Sequence, residues 1–238
     1  MILSVNAELH MFHSRPTIGY VAITSTHTCA VVDDFLAAPR ELVAAAVARQ
    51  GQFAMDPDNY YPGLELPLGG DVAHALEAFF NQHIRACLGA RRTLHTSARL
   101  ALATLPGNQL NALQRLCHRD ALTLPAGEGV AASVAYLFDD PAMGGTSFYL
   151  PRQPDQDTAA CLARAASGEL PLAPGYMTAS NDWFEQVATI PAKFNRAIFY
   201  DGTVFHAAQI ARPDLLSPQA QSGRLTMNGF FRYRRTAA

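Results

Sequence analysis

A histidine and an aspartate stand two residues apart in Leu116-Cys117-His118-Arg119-Asp120. Side chains of an extended segment alternate between faces, so a His-x-Asp pair on a strand presents an imidazole and a carboxylate on one side. A further histidine would complete a metal-binding face, and His206 is the downstream candidate. Two imidazoles and one carboxylate on one side of an ion leave its remaining positions open, which suits non-haem Fe(II). By the same alternation Cys117 and Arg119 point the other way, Cys117 into packing and Arg119 toward a salt bridge or the surface. Alone the tripeptide is weak, because such spacings arise by chance and a strand histidine is commonly a hydrogen-bonded core residue.

The elements that would bring 118 and 206 together can be read from periodicity. Ile18 to Ile23 and Cys29 to Val32 are apolar, β-branched runs that predict a short strand pair. Pro39 followed by an Ala-, Leu- and Val-rich stretch to Arg49 predicts a helix. Gln52 to Gly70, with Tyr60 and Tyr61 among its prolines and glycines, reads as a loop whose aromatics anchor it or flank a pocket. Val72, Leu76, Phe79, Phe80, Ile84, Cys87 and Leu88 recur at three- and four-residue intervals and predict an amphipathic helix stopped by Gly89, with His74 and His83 at its surface.

After Gly89 the pattern turns to strands: Thr96 to Leu105, Leu113 to His118, Val130 to Phe138, Thr146 to Leu150, Glu185 to Ile190, Arg196 to Tyr200, Val204 to Ile210 and Leu225 to Tyr233. Short strands separated by Gly and Pro predict an antiparallel sandwich or barrel, hence a mainly β (α+β) fold. A helix from Pro154 to Gly168 interrupts them as an insertion. The expected organisation is a single domain over 1–238. Residues 1–90 form a strand and helix extension packed on a core spanning 91–238, which carries the helical insertion near 154–183.

Of the 238 residues 49% are hydrophobic, enough for a substantial core, and the formal charge of -2 shows no excess that would attract nucleic acid or an acidic membrane. The four cysteines (Cys29, Cys87, Cys117, Cys161) are dispersed, which disfavours a zinc ribbon or a disulfide scaffold. Met1 to Pro16 shows no secretory leader, and no apolar run reaches the roughly 20 residues of a membrane span. The expectation is a soluble, cytoplasmic protein without nucleic-acid or membrane partners, and a homodimer is kept open.

An ordered set of features extends from the tripeptide: His118-Arg119-Asp120, the Tyr136-Leu137 strand, Gly144-Gly145-Thr146, His206, and Arg224-Leu225-Thr226 near the end. In this order the chain resembles the Fe(II)/2-oxoglutarate-dependent oxygenases, and within them the prolyl-4-hydroxylase-like branch, over roughly residues 95 to 233. The resemblance implies a double-stranded β-helix, or jelly-roll, core and Fe(II) held by His118, Asp120 and His206 as the catalytic centre. It also implies 2-oxoglutarate and O2 as co-substrates, with release of succinate and CO2. The far carboxylate of 2-oxoglutarate calls for a cation that grips two oxygens at once, a role that falls to Arg224. Thr226 lies on the same strand face, Tyr136 is a further hydroxyl donor to that carboxylate, and Asn228 a neighbour on the Arg224 face. The interval from His206 to Arg224 is longer than the family commonly shows, which leaves Arg212 and Arg232 as fallback arginines. The presence of Asp120 favours hydroxylation or desaturation over halogenation.

The expected function is hydroxylation of an amino acid, a peptide side chain or a small metabolite, with the Tyr60-Tyr61 loop and the Trp183 segment as walls for that substrate. The 154–183 insertion is open to a role as lid or partner surface. A cupin-like, non-catalytic metal-binding or sensor protein would keep the three ligands but have no use for Arg224. A purely structural barrel would place His118 and His206 on different faces.

Overall fold

The computed structural model describes residues 11–56, 59–121 and 123–236, so the first ten residues, which include most of the segment read for a leader, and Pro57 of the expected loop lie outside it. The two β-branched runs near the start form β1 (Thr17–Ala22) and β2 (Thr28–Asp33), an antiparallel pair. Helix α1 (Pro39–Ala48) follows, with proline at its first turn where a missing amide hydrogen costs nothing.

The segment expected to be a loop contains a strand, β3 (Gly63–Pro67). Its Leu64-Glu65-Leu66 centre is too short, and too closely bounded by Pro62, Gly63 and Pro67, to show a period. Pairing to the next strand creates it, as tertiary context often does for strands. Helix α2 (Gly70–Phe79) continues through a π turn and a tight turn to Leu88, and Gly89 ends it with a φ of 64°.

The remaining strands are β4 (Ala90–Ala103), β5 (Glu128–Tyr136), β6 (Thr146–Pro151), β7 (Phe184–Ile190), β8 (Ala197–Asp201), β9 (Phe205–Ala208) and β10 (Arg224–Arg235). The insertion helix is α3 (Asp155–Ala166). Leu113 to His118, expected as a strand, is a tight turn over Leu113–Arg115 followed by a single bridge at His118. Asn111 and Gln114 explain the turn: each side-chain oxygen accepts from the other's backbone amide, an alternative to a sheet ladder.

One sheet has the order β1-β2-β8-β5-β10-β4-β3 and the other β7-β6-β9, with all described pairings antiparallel. The bridge between His118 and His206 adds the 118 segment beside β9. Apart from the β6–β7 hairpin, the chain therefore passes alternately between the four central strands β4-β10-β5-β8 and the facing row of β7, β6, β9 and the 118 segment, the winding of a double-stranded β-helix. Strands from the first 90 residues lengthen the larger sheet at both edges.

Apolar residues fill three zones. The space between the sheets holds Tyr136, Phe148, Ile198, Tyr200 and Val204. Outside the larger sheet, α1 and α2 cover Leu225, Met227, Phe231 and Tyr233 of β10. The opposite residues of β10, Arg224, Thr226, Asn228 and Phe230, face the interior by strand alternation. Outside the smaller sheet, α3 packs through Ala165 in a cluster with Leu116, Cys117, Tyr149 and Phe205. Among the described residues no helix is long and apolar enough to cross a membrane.

Candidate metal centre and barrel interior

His118 and His206 exchange both backbone hydrogen bonds, each 2.9 Å, and so stand directly opposite one another with side chains on one face. Their rings lie 4.4 Å apart. Two residues on, the Asp120 amide donates to the Gly202 carbonyl at 2.8 Å, which fixes the next same-face side chain beside the turn between β8 and β9. Asp120 Oδ1 is 3.9 Å from His118 Nε2 and 3.7 Å from His206 Nε2. One ligand atom from each residue lies within 4.8 Å of the other two, so these three side chains could hold a metal ion.

The approach depends on glycine. A Cβ at Gly202 would lie 2.6 Å from Asp120 Oδ2, too close for any other residue without moving the carboxylate. His206 Nδ1 lies 2.9 Å from the Val204 carbonyl, and donation there leaves the Nε2 lone pair facing Asp120 and His118.

Burial pushes the Asp120 carboxyl up to about 6, against the pull of His118 and Arg99. It holds His206 down at about 4. His118 is lowered by desolvation and then by His206, although solvent reaches 61% of its side chain and weakens that desolvation. Both imidazoles are therefore neutral at pH 7 and available as donors, while Asp120 Oδ2 is buried without a hydrogen bond.

Further along the interior, Arg224 is 3% exposed. Its Nε donates to the carbonyls of Met143 and Gly144, and its Nη2 to those of Gly144 and Gly145. Gly144 and Gly145 allow those carbonyls to converge. A Cβ on either would come within 2 Å of a backbone oxygen, that of Gln209 or Ile190, and Gly144 adopts a φ of 82°. Thr226 contacts the Ala101 carbonyl at 3.4 Å, and the Tyr136 hydroxyl is 2.8 Å from Thr146 Oγ1. The fallback arginines lie elsewhere: Arg212 pairs with Asp214 on the surface, and Arg232, half-exposed, pairs with Glu128.

The structure brings His118, Asp120 and His206 together and sets Arg224, Thr226 and Tyr136 in the same interior. Cys117 is buried as expected. Arg119 does point away from the three ligands, but among the described residues it forms no salt bridge. Its guanidinium lies 4.6 Å over the Phe205 ring instead. The Trp183 segment, expected to wall the pocket, packs with Leu116 and Tyr149 outside the smaller sheet.

Of the Tyr60-Tyr61 loop expected as a wall, Tyr61 reaches the interior, and sequence reasoning missed Glu65 of β3 and Arg99 of β4. Tyr61 carries a buried hydroxyl whose proton burial holds up to about 12, and Thr226 and Arg224 are close enough to oppose that shift. Arg99 and Glu65 face the interior with Nε and Oε1 2.8 Å apart. The available signal was Arg99 alternating with Leu100 and Leu102, a lone charge on a face otherwise made of Ala101 and Ala103.

No curated protein matches the chain. Among solved structures it is similar to a Pseudomonas putida prolyl-4-hydroxylase, at 19% identity and a TM-score of 0.46 over 90% of this chain and 95% of that one. It is similar also to SnoK, a non-heme alpha ketoglutarate dependent carbocyclase from nogalamycin biosynthesis, at 14% identity and a TM-score of 0.49 over 99% and 88%. HygX from Streptomyces hygroscopicus with iron bound gives 12% and 0.46 over 89% and 83%. Residues 14–231 match the model of a family of unknown function, DUF6445, and the chain belongs to that family.

Proposed function

We propose that this protein is an Fe(II)- and 2-oxoglutarate-dependent oxygenase that hydroxylates an amino acid, a peptide side chain or a small metabolite. The observation that carries the reading is the convergence of His118, Asp120 and His206, with a buried carboxylate oxygen that nothing in the described chain satisfies. Two neutral imidazoles and one carboxylate fit Fe(II), and a cation there would satisfy the buried Asp120 oxygen. With iron bound, the centre supplies O2-dependent oxidation coupled to decarboxylation of 2-oxoglutarate.

The protein's own part is positional. Val204 fixes the His206 tautomer through its carbonyl, and Gly202 admits the Asp120 carboxylate. Arg224 and Thr226 supply the charge and hydroxyl for the far carboxylate of 2-oxoglutarate, with Tyr136 beside them. Asp120 and His206 are shielded from bulk water, while the centre opens to solvent on the His118 side.

One observation favours the second reading, a jelly-roll metal-binding protein without co-substrate chemistry. Nε and Nη2 of Arg224 already donate to three backbone carbonyls, which leaves Nη1 as the guanidinium nitrogen without such a bond. Anaerobic titration with Fe(II) and then 2-oxoglutarate, followed by succinate release on admitting air, separates the two. The oxygenase reading expects tight metal binding, 2-oxoglutarate binding that depends on the metal and on Arg224, and slow succinate formation without added substrate. Metal binding with no effect of Arg224→Ala on 2-oxoglutarate leaves the second reading, and absence of metal binding overturns both.

A further inference from the structure

Resting on that reading of the metal centre, we propose that the groove floored by Arg99, Glu65 and Phe230 binds the head group of a free α-amino acid, its carboxylate on Arg99 and its ammonium at Glu65. The groove has a volume of about 450 Å³ and is lined by Met55, Asp56, Glu65, Ser97, Arg99 and Phe230, a size suited to a small molecule.

Arg99 shares the inner sheet face with Glu65 and Arg224. On β4 it lies opposite Asn228 of β10 and Pro67 of β3. Its guanidinium carbon sits 4.7 Å over the Phe230 ring, which holds the plane in place.

The pair with Glu65 is incomplete. Nε and Oε1 are 2.8 Å apart but not aligned as a hydrogen bond, and both atoms are buried without one. Asn59 donates to the other oxygen, Oε2, at 2.6 Å and so holds the carboxylate with Oε1 toward Arg99. Asn228 Oδ1, across from Arg99, also lacks a partner. Of the six buried side-chain polar atoms without a hydrogen bond among the described residues, three lie here, and only Arg119 Nε belongs to the outer face.

Buried donors and acceptors are seldom left unmet, so an unmet cluster beside a groove marks where a ligand completes it. The signs choose the ligand. A simple anion would reach Arg99 but meet Glu65 and Asp56, and a simple cation would meet Arg99. A molecule carrying a carboxylate and an ammonium on adjacent carbons satisfies both. Peptide interiors lack both charges.

The full-length protein, loaded anaerobically with Mn(II) and 2-oxoglutarate, should be titrated calorimetrically with each of the twenty L-α-amino acids. Each binder is then compared with its primary amide and its N-acetyl derivative. We expect at least one amino acid to bind and both derivatives to lose about tenfold or more, as for a lost charge-assisted hydrogen bond. Arg99→Gln and Glu65→Gln should cause losses of about the same size, Arg99→Lys a smaller one, and the affinity for 2-oxoglutarate should change by less than about threefold. The inference is overturned if no amino acid binds, if amides, N-acetyl forms or peptides bind equally, if Arg99→Gln has no effect, or if that variant loses 2-oxoglutarate to the same extent. The ligand series on the unaltered protein decides the matter even if a variant does not fold. Failure of Mn(II) or 2-oxoglutarate to bind the unaltered protein overturns the metal-centre reading instead.

Discussion

The two ends of the barrel interior are built on opposite terms. At Arg224 a buried charge is already answered: its donors meet three carbonyls that two glycines allow to converge. At Asp120 a buried carboxylate faces two neutral imidazoles, and one of its oxygens has no hydrogen bond among the described residues. The first end can fold without a ligand and contribute to stability. The second leaves a negative group desolvated, so its raised pKa records a cost that a bound cation would remove.

That contrast can be broken most forcefully at Arg224. Arg224→Ala should strand three buried carbonyls and lower stability by roughly 3 kcal/mol, measured by chemical denaturation of the metal-free protein. A loss of 2-oxoglutarate affinity with unchanged stability would mean the carbonyl contacts are incidental. Next in size, His206→Ala or Asp120→Asn should weaken metal binding by about 100-fold or more in anaerobic titration, since even groups that only orient ligands are worth about 10–100-fold. Denaturation midpoints of the metal-free forms should hold or rise for Asp120→Asn, because the desolvated charge is gone. A fall would contradict the contrast.

Gly202→Ala should cost about tenfold in metal affinity by displacing Asp120, with the fold intact by circular dichroism. Proton competition gives a gentler test. Asp120 in the metal-free protein titrates near 6, so metal affinity should be flat above that pH and fall by about tenfold per unit below it. Because both histidines are lowered, His206 to about 4 and the more exposed His118 less firmly, the fall should steepen only well below the 6.5 at which ordinary histidines would steepen it. The smallest effect is expected at Arg212, a surface ion-pair member: Arg212→Ala should leave melting temperature and 2-oxoglutarate affinity unchanged. A loss there comparable to that of Arg224→Ala would reassign the arginine.

Much of this interior was legible in the sequence. The His118 and Asp120 spacing, a histidine after a Gly-containing turn, and Arg224 with Thr226 two residues on each follow from strand alternation, which needs only local extended structure. The helices and nearly all the strands follow from period and from Pro and Gly punctuation. The Leu113–Arg115 turn was missed because a reciprocal Asn111 and Gln114 side-chain exchange outweighs an apolar run. β3 was missed because its five residues exist as a strand only through pairing with β4.

The sequence by itself determined which residue types are available and which of them share a strand face, since both depend on neighbours two residues apart. Only the tertiary structure decided that His118 and His206, 88 positions apart in the sequence, stand in register, because register is set by backbone pairing between strands distant in sequence. It also decided that Arg224 is answered by the carbonyls of Met143, Gly144 and Gly145, while Asp120 Oδ2 is buried with no hydrogen bond among the described residues. Hydrogen-bond satisfaction depends on atoms that meet only once the two sheets close on each other.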